Sequence, residues 1–207
     1  MASQGVSGTE GYAEEADDLL ERYEQRVFAD VHQSVLHLIP KKPCNVLDIG
    51  AGTGRDAAAL AAMGHRVLAV EPTEPLLRGA MALHRSSRIE WLDDSLPDLV
   101  QVLARQETFE VVMMTAVWMH LDEEQRRQAM PHVASLVSDG GVLMMSLRHG
   151  PVPPGRRMFD VPLEETVQLA GKQNLEPVID LNKRPDTFGR GDISWTKLAF
   201  KFPPQPA

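Results

Sequence analysis

Three glycines, Gly50, Gly52 and Gly54, lie between two acidic residues, Asp48 and Glu71, in an order that suits a nucleoside-containing ligand. Glycine lets a backbone turn tightly and approach a ligand closely. A helix that begins behind such a turn offers free backbone amides. Glu71 ends the next apolar run, where a carboxylate can accept hydrogen bonds from both hydroxyls of a ribose. The spacing therefore predicts a strand, a glycine turn, a helix and a second strand around one ligand.

The details of the turn separate two cofactors. A dinucleotide-binding turn needs its third glycine at position 55, which is occupied by Arg55. Asp48 would repel a pyrophosphate and attract a cationic amino group. S-adenosylmethionine (SAM) has no phosphate and carries an ammonium, a sulfonium and a ribose. The turn therefore favours SAM over NAD.

The hydrophobic pattern along the chain predicts strands that alternate with helices. The predicted strands are residues 45–50, 66–71, 88–92, 109–116 and 142–147, with two further strands near 175–180 and 193–201. The predicted helices are residues 12–38, 54–63, 73–84, 97–106, 122–137 and 163–171. Thr73 is expected to cap its helix, and Asp122 is expected to form a capping-box pair with Gln125.

This alternation predicts an α/β fold, a doubly wound and mostly parallel sheet. We expect one such domain at residues 41–202, preceded by a helical arm at 12–40, with a disordered start at 1–11 and a frayed tail at 203–207. Ligands of such sheets bind at the carboxyl ends of the strands. That rule brings together residues 50–54, Glu71, Asp93 and Asp94, residues 115–117 and residues 148–150.

The composition excludes several functional classes. A chain of 207 residues with a net charge of −8 does not suit a nucleic-acid backbone, which needs clustered cations. The single cysteine, Cys44, excludes an internal disulfide and a cysteine-rich zinc site, and the seven histidines lack metal-ligand spacing, so no metal is expected. No apolar stretch reaches the roughly 18 residues of a membrane span, and the start is unlike a signal peptide. We expect a cytoplasmic protein with a small-molecule partner.

Four segments resemble the class I (Rossmann-like) SAM-dependent methyltransferases, in particular their small-molecule branch. Residues 46–54 resemble the first motif of that family and residues 68–71 the second. Residues 116–121 are similar to the segment after strand 4, and residues 138–143 to the turn into strand 5. The resemblance covers roughly residues 40–150. It implies a seven-stranded sheet of order 3-2-1-4-5-7-6 with strand 7 antiparallel.

The resemblance also implies a role for individual residues of the rim. Asp48 would lie near the methionine amino group, and Glu71 would bind the ribose hydroxyls. Asp93 or Asp94 would contact the adenine amino group, and the alternative for this pair is helix capping. The remaining expected cofactor contacts are Gly50, Ala51, Gly52, Gly54, Arg55, Pro72, Thr115 and Tyr12.

Catalytic candidates follow from what methyl transfer needs. The protein must hold the acceptor against the methyl group, and a base helps where the acceptor arrives protonated. His120 and His149 are candidate bases, although His120 could instead pack and hydrogen-bond locally. Arg148 could bind a substrate carboxylate, or could anchor its loop to acidic neighbours. Tyr12 and Tyr23 could place an aromatic face near the sulfonium if the arm covers the cofactor.

Three functions remain open from the sequence. The leading one is methyl transfer from SAM to a small molecule. In the second, SAM is the whole substrate: its amino group attacks its own γ carbon, giving azetidine-2-carboxylate and methylthioadenosine. The third is a SAM-binding protein without catalysis. Arg156 and Arg157 are expected to be solvated loop charges in each case.

Overall fold

The computed structural model describes residues 6–178, 183–185 and 191–203. Its helices are α1 (Ala16–Glu24), α2 (Phe28–Val31), α3 (Arg55–Ala62), α4 (Glu74–Leu83), α5 (Val100–Ala104), α6 (Glu123–Ser135) and α7 (Leu163–Gly171), with short 3-10 turns at Leu36–Leu38 and Trp118–His120. Its strands are β1 (Asn45–Ile49), β2 (Arg66–Val70), β3 (Ile89–Leu92), β4 (Phe109–Thr115), β5 (Val137–His149), β6 (Glu176–Pro177), β7 (Lys183–Pro185) and β8 (Ser194–Lys201). Within these ranges no helix is both long and apolar enough to cross a membrane.

The strands form one sheet in the order β3-β2-β1-β4-β5-β8-β6, and β7 also pairs with β8. Strands β1 to β5 are parallel to one another. Strand β8 is antiparallel to both β5 and β6. With β8 as the seventh strand, the predicted order 3-2-1-4-5-7-6 and its antiparallel strand are confirmed. The short β7 is an addition that the sequence did not predict.

The central strands are apolar at consecutive positions because helices cover both faces of the sheet. In β4, Met114 belongs to the cluster on one face, and its neighbour Met113 belongs to the cluster on the other. Met145 and Met144 of β5 divide in the same way. These methionine pairs fill the two cores, as the predicted strands require.

The N-terminal arm is not the single helix that the amphipathic spacing predicts. α1 ends at Glu24, and Val27 adopts an extended conformation with φ −72° and ψ 125°. This break leaves Val27 exposed and turns the chain so that Phe28, the first residue of α2, becomes buried. Leu20 of α1 packs directly on Gly79 of α4, where any side chain would clash with it. The arm is therefore a folded-back pair of short helices on the sheet domain.

The segment before the arm also differs from the prediction of disorder over residues 1–11. Residues 1–5 lie outside the described ranges, but residues 6–11 form hydrogen-bonded turns. The amide of Thr9 donates to the carbonyl of Val6, and that of Tyr12 to the carbonyl of Thr9, both at 3.1 Å. This order has a physical reason, because the backbone at Gly8 packs closely against His120.

The C-terminal predictions fall partly outside the described ranges. Of the strand predicted near 175–180, residues 179 and 180 are not described, and Glu176–Pro177 forms the short β6. Of the predicted frayed tail at 203–207, residues 204–207 are not described. The strand predicted at 193–201 is present as β8.

Candidate functional site

The glycine turn between β1 and α3 is closed by backbone hydrogen bonds to the next strand. The amides of Gly50 and Ala51 both donate to the carbonyl of Val70, at 2.8 and 2.9 Å. Gly50 and Gly52 have φ of 71° and 58°, in the left-handed region. A Cβ on Gly50 would lie 2.5 Å from a methyl of Val117, whereas a Cβ on Gly52 would meet no atom within 4 Å. The space beside Gly52 is therefore open.

Glu71 lies at the carboxyl end of β2 and supports the turn. Its Oε2 accepts from the Gly52 amide and its Oε1 from the Thr73 amide, both at 2.8 Å. Burial raises the pKa of Glu71, although these hydrogen bonds oppose the shift. Thr73 does not cap α4 with its side chain, contrary to the prediction, because it interacts with Glu71 instead. Each carboxylate oxygen keeps a second lone pair for a ligand.

Asp48 is the acidic group beneath the turn. It is only 1% exposed, and its Oδ2 has no hydrogen-bond partner among the described residues. Burial raises its pKa well above the ordinary value, and the neighbouring Asp56 adds to this. An unsatisfied buried carboxylate oxygen is costly. A cationic or hydrogen-bond-donating ligand in the adjoining space would satisfy it.

Asp56, in the first turn of α3, ties the arm to the sheet. It accepts from His32 Nε2 at 2.7 Å, from Arg55 Nε at 2.7 Å and from Thr115 Oγ1 at 3.0 Å. Burial would raise the pKa of Asp56, but His32 and Arg55 hold it below its usual value. Arg55 and Thr115, both predicted cofactor contacts, are thus engaged by this carboxylate. No local sequence pattern points to Asp56, because its partner His32 is 24 positions away, on the arm.

Asp93 and Asp94, which the sequence left unresolved, have different surroundings. The carboxylate of Asp94 accepts from the amides of Gln101 and Val102, at 2.8 and 2.9 Å. Asp94 therefore binds the start of α5, which makes that helix shorter than predicted. Asp93 is exposed, and its charge raises the pKa of Glu71, so it lies near that carboxylate. The capping alternative is realised at Asp94, and the adenine contact of this pair stays a prediction.

Tyr12 and His120 join the arm to the loop after β4. His120 Nδ1 lies 2.7 Å from the carbonyl oxygen of Arg157, which can only accept, so Nδ1 carries the proton. The other ring nitrogen, Nε2, then accepts from the Tyr12 hydroxyl at 3.0 Å. Burial lowers the pKa of His120, which agrees with a neutral ring. Its alternative role, local hydrogen bonding, is therefore realised.

Arg156 holds the arm from the opposite side. Its guanidinium donates to Glu15 at 2.8 Å and lies over the Tyr12 ring, 4.0 Å from the centroid. The end of α1 is fixed separately, since Thr53 Oγ1 of the glycine turn donates to Glu24 at 2.6 Å. The expectation that Arg156 is a solvated loop charge is wrong, because its side chain is only 6% exposed.

Arg157 is likewise engaged, at the start of α6. Asp122 and Gln125 form the predicted capping box, which is confirmed. Arg157 donates to Asp122 Oδ2 at 2.8 Å and to Gln125 Oε1 at 2.9 Å. The expectation of a solvated Arg157 is therefore also wrong, because the exposed carboxylate of the helix cap attracts it.

Arg148 and His149 end β5, which runs further than predicted. Consecutive residues of a strand face opposite sides of the sheet. Arg148 is buried and lines the cavity described below, whereas His149 lies outside that lining and hydrogen-bonds to Thr196 Oγ1 at 2.9 Å. The prediction that His149 is a base in the ligand site is corrected accordingly. The pairing of His149 with Ser194 explains why this segment is strand rather than loop.

A single cavity of about 600 Å³ connects these groups. The carboxyl ends of the strands form its floor, and the arm with residues 6–9 covers it. The predicted residues that line it are Tyr12, Tyr23, Asp48, Gly50, Ala51, Gly52, Arg55, Glu71, Pro72, Asp94, Thr115, His120 and Arg148. Gly54, Asp93 and His149 are predicted residues outside that lining. The described residues hold no cluster of three metal-ligating side chains.

Comparisons with known proteins bear on this cavity. A family profile described as a methyltransferase domain matches residues 46–141. The chain is 24% identical over 197 residues to glycine N-methyltransferase of Mus musculus, covering 82% of this chain and 67% of that protein. It is 32% identical over 130 residues to an uncharacterized methyltransferase of Mycobacterium tuberculosis, covering 59% and 64%. The chain thus spans about two thirds of the length of these relatives.

Solved structures share the fold over nearly the whole chain. The 1,6-didemethyltoxoflavin-N1-methyltransferase of Burkholderia thailandensis, with 1,6-didemethyltoxoflavin and S-adenosylhomocysteine bound, has a TM-score of 0.72 at 19% identity and covers 93% of this chain and 85% of that one. Magnesium protoporphyrin IX methyltransferase of Synechocystis, with SAM bound, has a TM-score of 0.65 at 17% identity and covers 92% and 84%. Together with the strand order, these likenesses show that the chain has the Rossmann-like fold of class I methyltransferases, and its residues 46–141 match a methyltransferase domain.

Proposed function

We propose that this protein transfers a methyl group from SAM to a small molecule held under the N-terminal arm. The observation that carries the proposal is the covered cavity of about 600 Å³, with the glycine turn on its floor and Tyr12 and Tyr23 in its wall. Small-molecule and cofactor sites commonly have volumes of about 300–1,000 Å³. A macromolecular acceptor would have to displace the arm, whereas a small molecule fits beneath it.

The residues around the glycine turn fit SAM. The partnerless Oδ2 of Asp48 would accept from the ammonium of the methionine moiety, which removes the cost of an unsatisfied buried oxygen. Glu71, with a lone pair left on each oxygen, would accept from the ribose hydroxyls. Asp93 is the acidic candidate for the adenine amino group. When bound, SAM supplies an electrophilic methyl group on a sulfonium, open to in-line displacement.

The chain's own contribution is positioning and exclusion of water. The arm is held beside the cavity by the contacts of Glu24 and Arg156, which limit the access of water to the acceptor. The Tyr12 hydroxyl donates to His120 and also interacts with Arg156, so it is held in a fixed orientation in the cavity wall. Such fixed contacts favour near-attack geometry, which can account for a large share of the rate.

The known acceptors of the relatives support a small acceptor. One matched relative is a glycine N-methyltransferase, and the matched structures include methyltransferases named for didemethyltoxoflavin and magnesium protoporphyrin IX. These acceptors differ greatly in size and shape, so they support the class of reaction without naming the acceptor of this chain.

Mass spectrometry of the products formed from SAM tests the proposal. The purified protein is incubated with SAM alone and with a small-molecule fraction of cell extract. We expect S-adenosylhomocysteine and a methylated compound only in the second sample. Methylthioadenosine formed from SAM alone would instead establish the cyclising reaction. Tight SAM binding without turnover against a broad acceptor panel would indicate a binding protein, and either result would overturn the proposal.

A further inference from the structure

Four side chains from β5 and β8 form a patch on the cavity wall. Ser146 is paired with Lys197, and Arg148 with Trp195, in the antiparallel register of the two strands. Direct partners in such a register lie on the same face of the sheet. All four residues line the cavity. We call this set the β5–β8 patch.

Lys197 is the least satisfied member of the patch. It makes no hydrogen bond or ion pair with any residue in the described ranges, although it is partly buried. Burial lowers its pKa to about 8, against an opposing effect of Asp56. Asp56 is itself already bound by three donors, from His32, Arg55 and Thr115. The ammonium of Lys197 therefore keeps its donors for something in the cavity.

The other members add a cation, a hydroxyl and a flat surface. Arg148 is 9% exposed, and a guanidinium can bind a carboxylate through two parallel hydrogen bonds. The Ser146 oxygen accepts from the amide of Ala116 at 2.9 Å, which leaves its own proton to donate. Trp195 is partly buried against the hydrophobic core and also lines the cavity, where its indole can offer an apolar surface.

Asp48 and Glu71 lie apart from the β5–β8 patch along the sheet, and the charged pair Arg55 and Asp56 also lines the cavity. Asp48 lies in β1 and Glu71 follows β2, at one end of the cavity, whereas the β5–β8 patch lies beyond β4 on the other side. Neighbouring strands are about 4.8 Å apart, so β1 and β5 are separated by about 10 Å. The acidic end suits the cationic SAM. The basic end suits an anion.

We propose that the acceptor is a carboxylate-bearing small molecule, whose carboxylate binds Lys197 and Arg148 and whose flat apolar part lies on Trp195. This inference rests on the proposed methyl transfer, since it assigns the acceptor half of the same cavity. The bound carboxylate would neutralise Lys197 and accept hydrogen bonds from its ammonium. Methyl transfer would then occur at an atom held by this anchor at a fixed distance from the glycine turn.

Benzoate and benzamide, which differ in charge and share a ring, test the assignment. Their binding to the protein saturated with S-adenosylhomocysteine is followed by ligand-observed NMR. We expect benzoate to bind about tenfold or more tightly than benzamide, as charge-assisted hydrogen bonds require. Equal binding of the two compounds would overturn the inference, and so would binding of inorganic phosphate in place of benzoate.

Variants of β8 identify the responsible cation. Lys197→Met should weaken benzoate binding about tenfold or more, whereas Lys197→Arg should retain most of it. Lys201→Met, on the same strand but exposed and outside the cavity, is the matched control and should change nothing. Melting temperatures show that each variant is folded. Unchanged benzoate affinity in a folded Lys197→Met would contradict the assignment.

The affinity for S-adenosylhomocysteine keeps this test separate from the proposed function. We expect it to be the same in wild type, Lys197→Met and Lys201→Met, because the patch lies outside the cofactor half. Absence of S-adenosylhomocysteine binding in the wild type would count against the proposed function. Normal S-adenosylhomocysteine binding without preference for benzoate would count against the carboxylate site alone.

Discussion

Replacing Gly52 by alanine separates the ligand space of the glycine turn from its structural role, with Gly50→Ala as the matched comparison. Both positions have positive φ, 58° and 71°, so each alanine introduces left-handed strain of about 1–2 kcal/mol. The new methyl at position 52 meets no protein atom within 4 Å. The one at position 50 lies 2.5 Å from Val117. The two variants therefore differ in what the added methyl touches.

The expected magnitudes follow from this difference. Gly50→Ala combines the backbone strain with overpacking, which adds about 1–3 kcal/mol to the loss of stability. Gly52→Ala lowers the free energy of unfolding only by the backbone strain of about 1–2 kcal/mol. Its methyl, however, meets no protein atom and occupies open space beside the cavity that Gly52 lines. Displacing a ligand enough to break one charge-assisted hydrogen bond costs about 1.5–3 kcal/mol, or about 10–100-fold in affinity.

Urea unfolding and calorimetric titration with SAM measure the two effects on the same samples. We expect Gly52→Ala to be the more stable variant and still to bind SAM at least about tenfold more weakly than wild type. Unchanged SAM affinity in Gly52→Ala would show that the ligand does not lie over Gly52. Equal destabilisation by the two alanines would refute the steric account of Val117.

Three further predictions concern the arm, the acidic pair and pH. Arg156→Met removes an ion pair and a cation–π contact, so amide hydrogen exchange in α1 should rise by about tenfold, and unchanged exchange would contradict its role in holding the arm. Asp94→Ala should lower the free energy of unfolding by about 1 kcal/mol with little effect on SAM binding. Asp93→Ala should instead weaken SAM binding with little effect on stability. The reverse pattern in urea unfolding and calorimetry would contradict the roles proposed for the two residues. Burial raises the pKa values of Asp48 and Glu71, so both lose their negative charge on acidification before ordinary carboxylates do, and SAM affinity should fall while the pH is still above about 4. A titration series in which affinity is constant from pH 7 to that value would contradict the pH prediction.

The glycine turn and its acidic partners could be predicted because they depend on local backbone chemistry. Positions 50 to 54 specify a turn that glycine adopts easily, and Glu71 directly follows the next strand. The sheet order followed from the family resemblance. The carboxyl-end rule then brought most rim residues to one cavity.

The faces of the outer strands could not be predicted, because they depend on strand ends and register. The predicted fifth strand ends at residue 147, so Arg148 and His149 are both expected in the loop that follows it. In the structure the strand continues through both residues, so their side chains face opposite sides of the sheet, as consecutive residues of a strand do. Lys197 reads as an ordinary position of a C-terminal strand, and only its pairing with Ser146 shows that it faces the cavity.

The structure of the N-terminal arm could not be predicted from hydrophobic periodicity. Helical spacing of apolar residues continues through the break at Val27, although α1 and α2 bury their apolar residues in different clusters. The contacts of Arg156 with Glu15 and Tyr12 join residues more than 140 positions apart. Such pairs leave no local pattern in a single sequence.

We propose that the cavity holds SAM through Asp48 and Glu71. Calorimetric titration of SAM into wild type and into Glu71→Gln measures the contribution of Glu71 to this binding. We expect saturable binding of one SAM per chain in wild type. In Glu71→Gln, whose fold is checked by its melting temperature, we expect affinity at least about tenfold lower because the charged acceptor for the ribose is lost. No binding to folded wild type, or equal binding by the two proteins, would contradict the account.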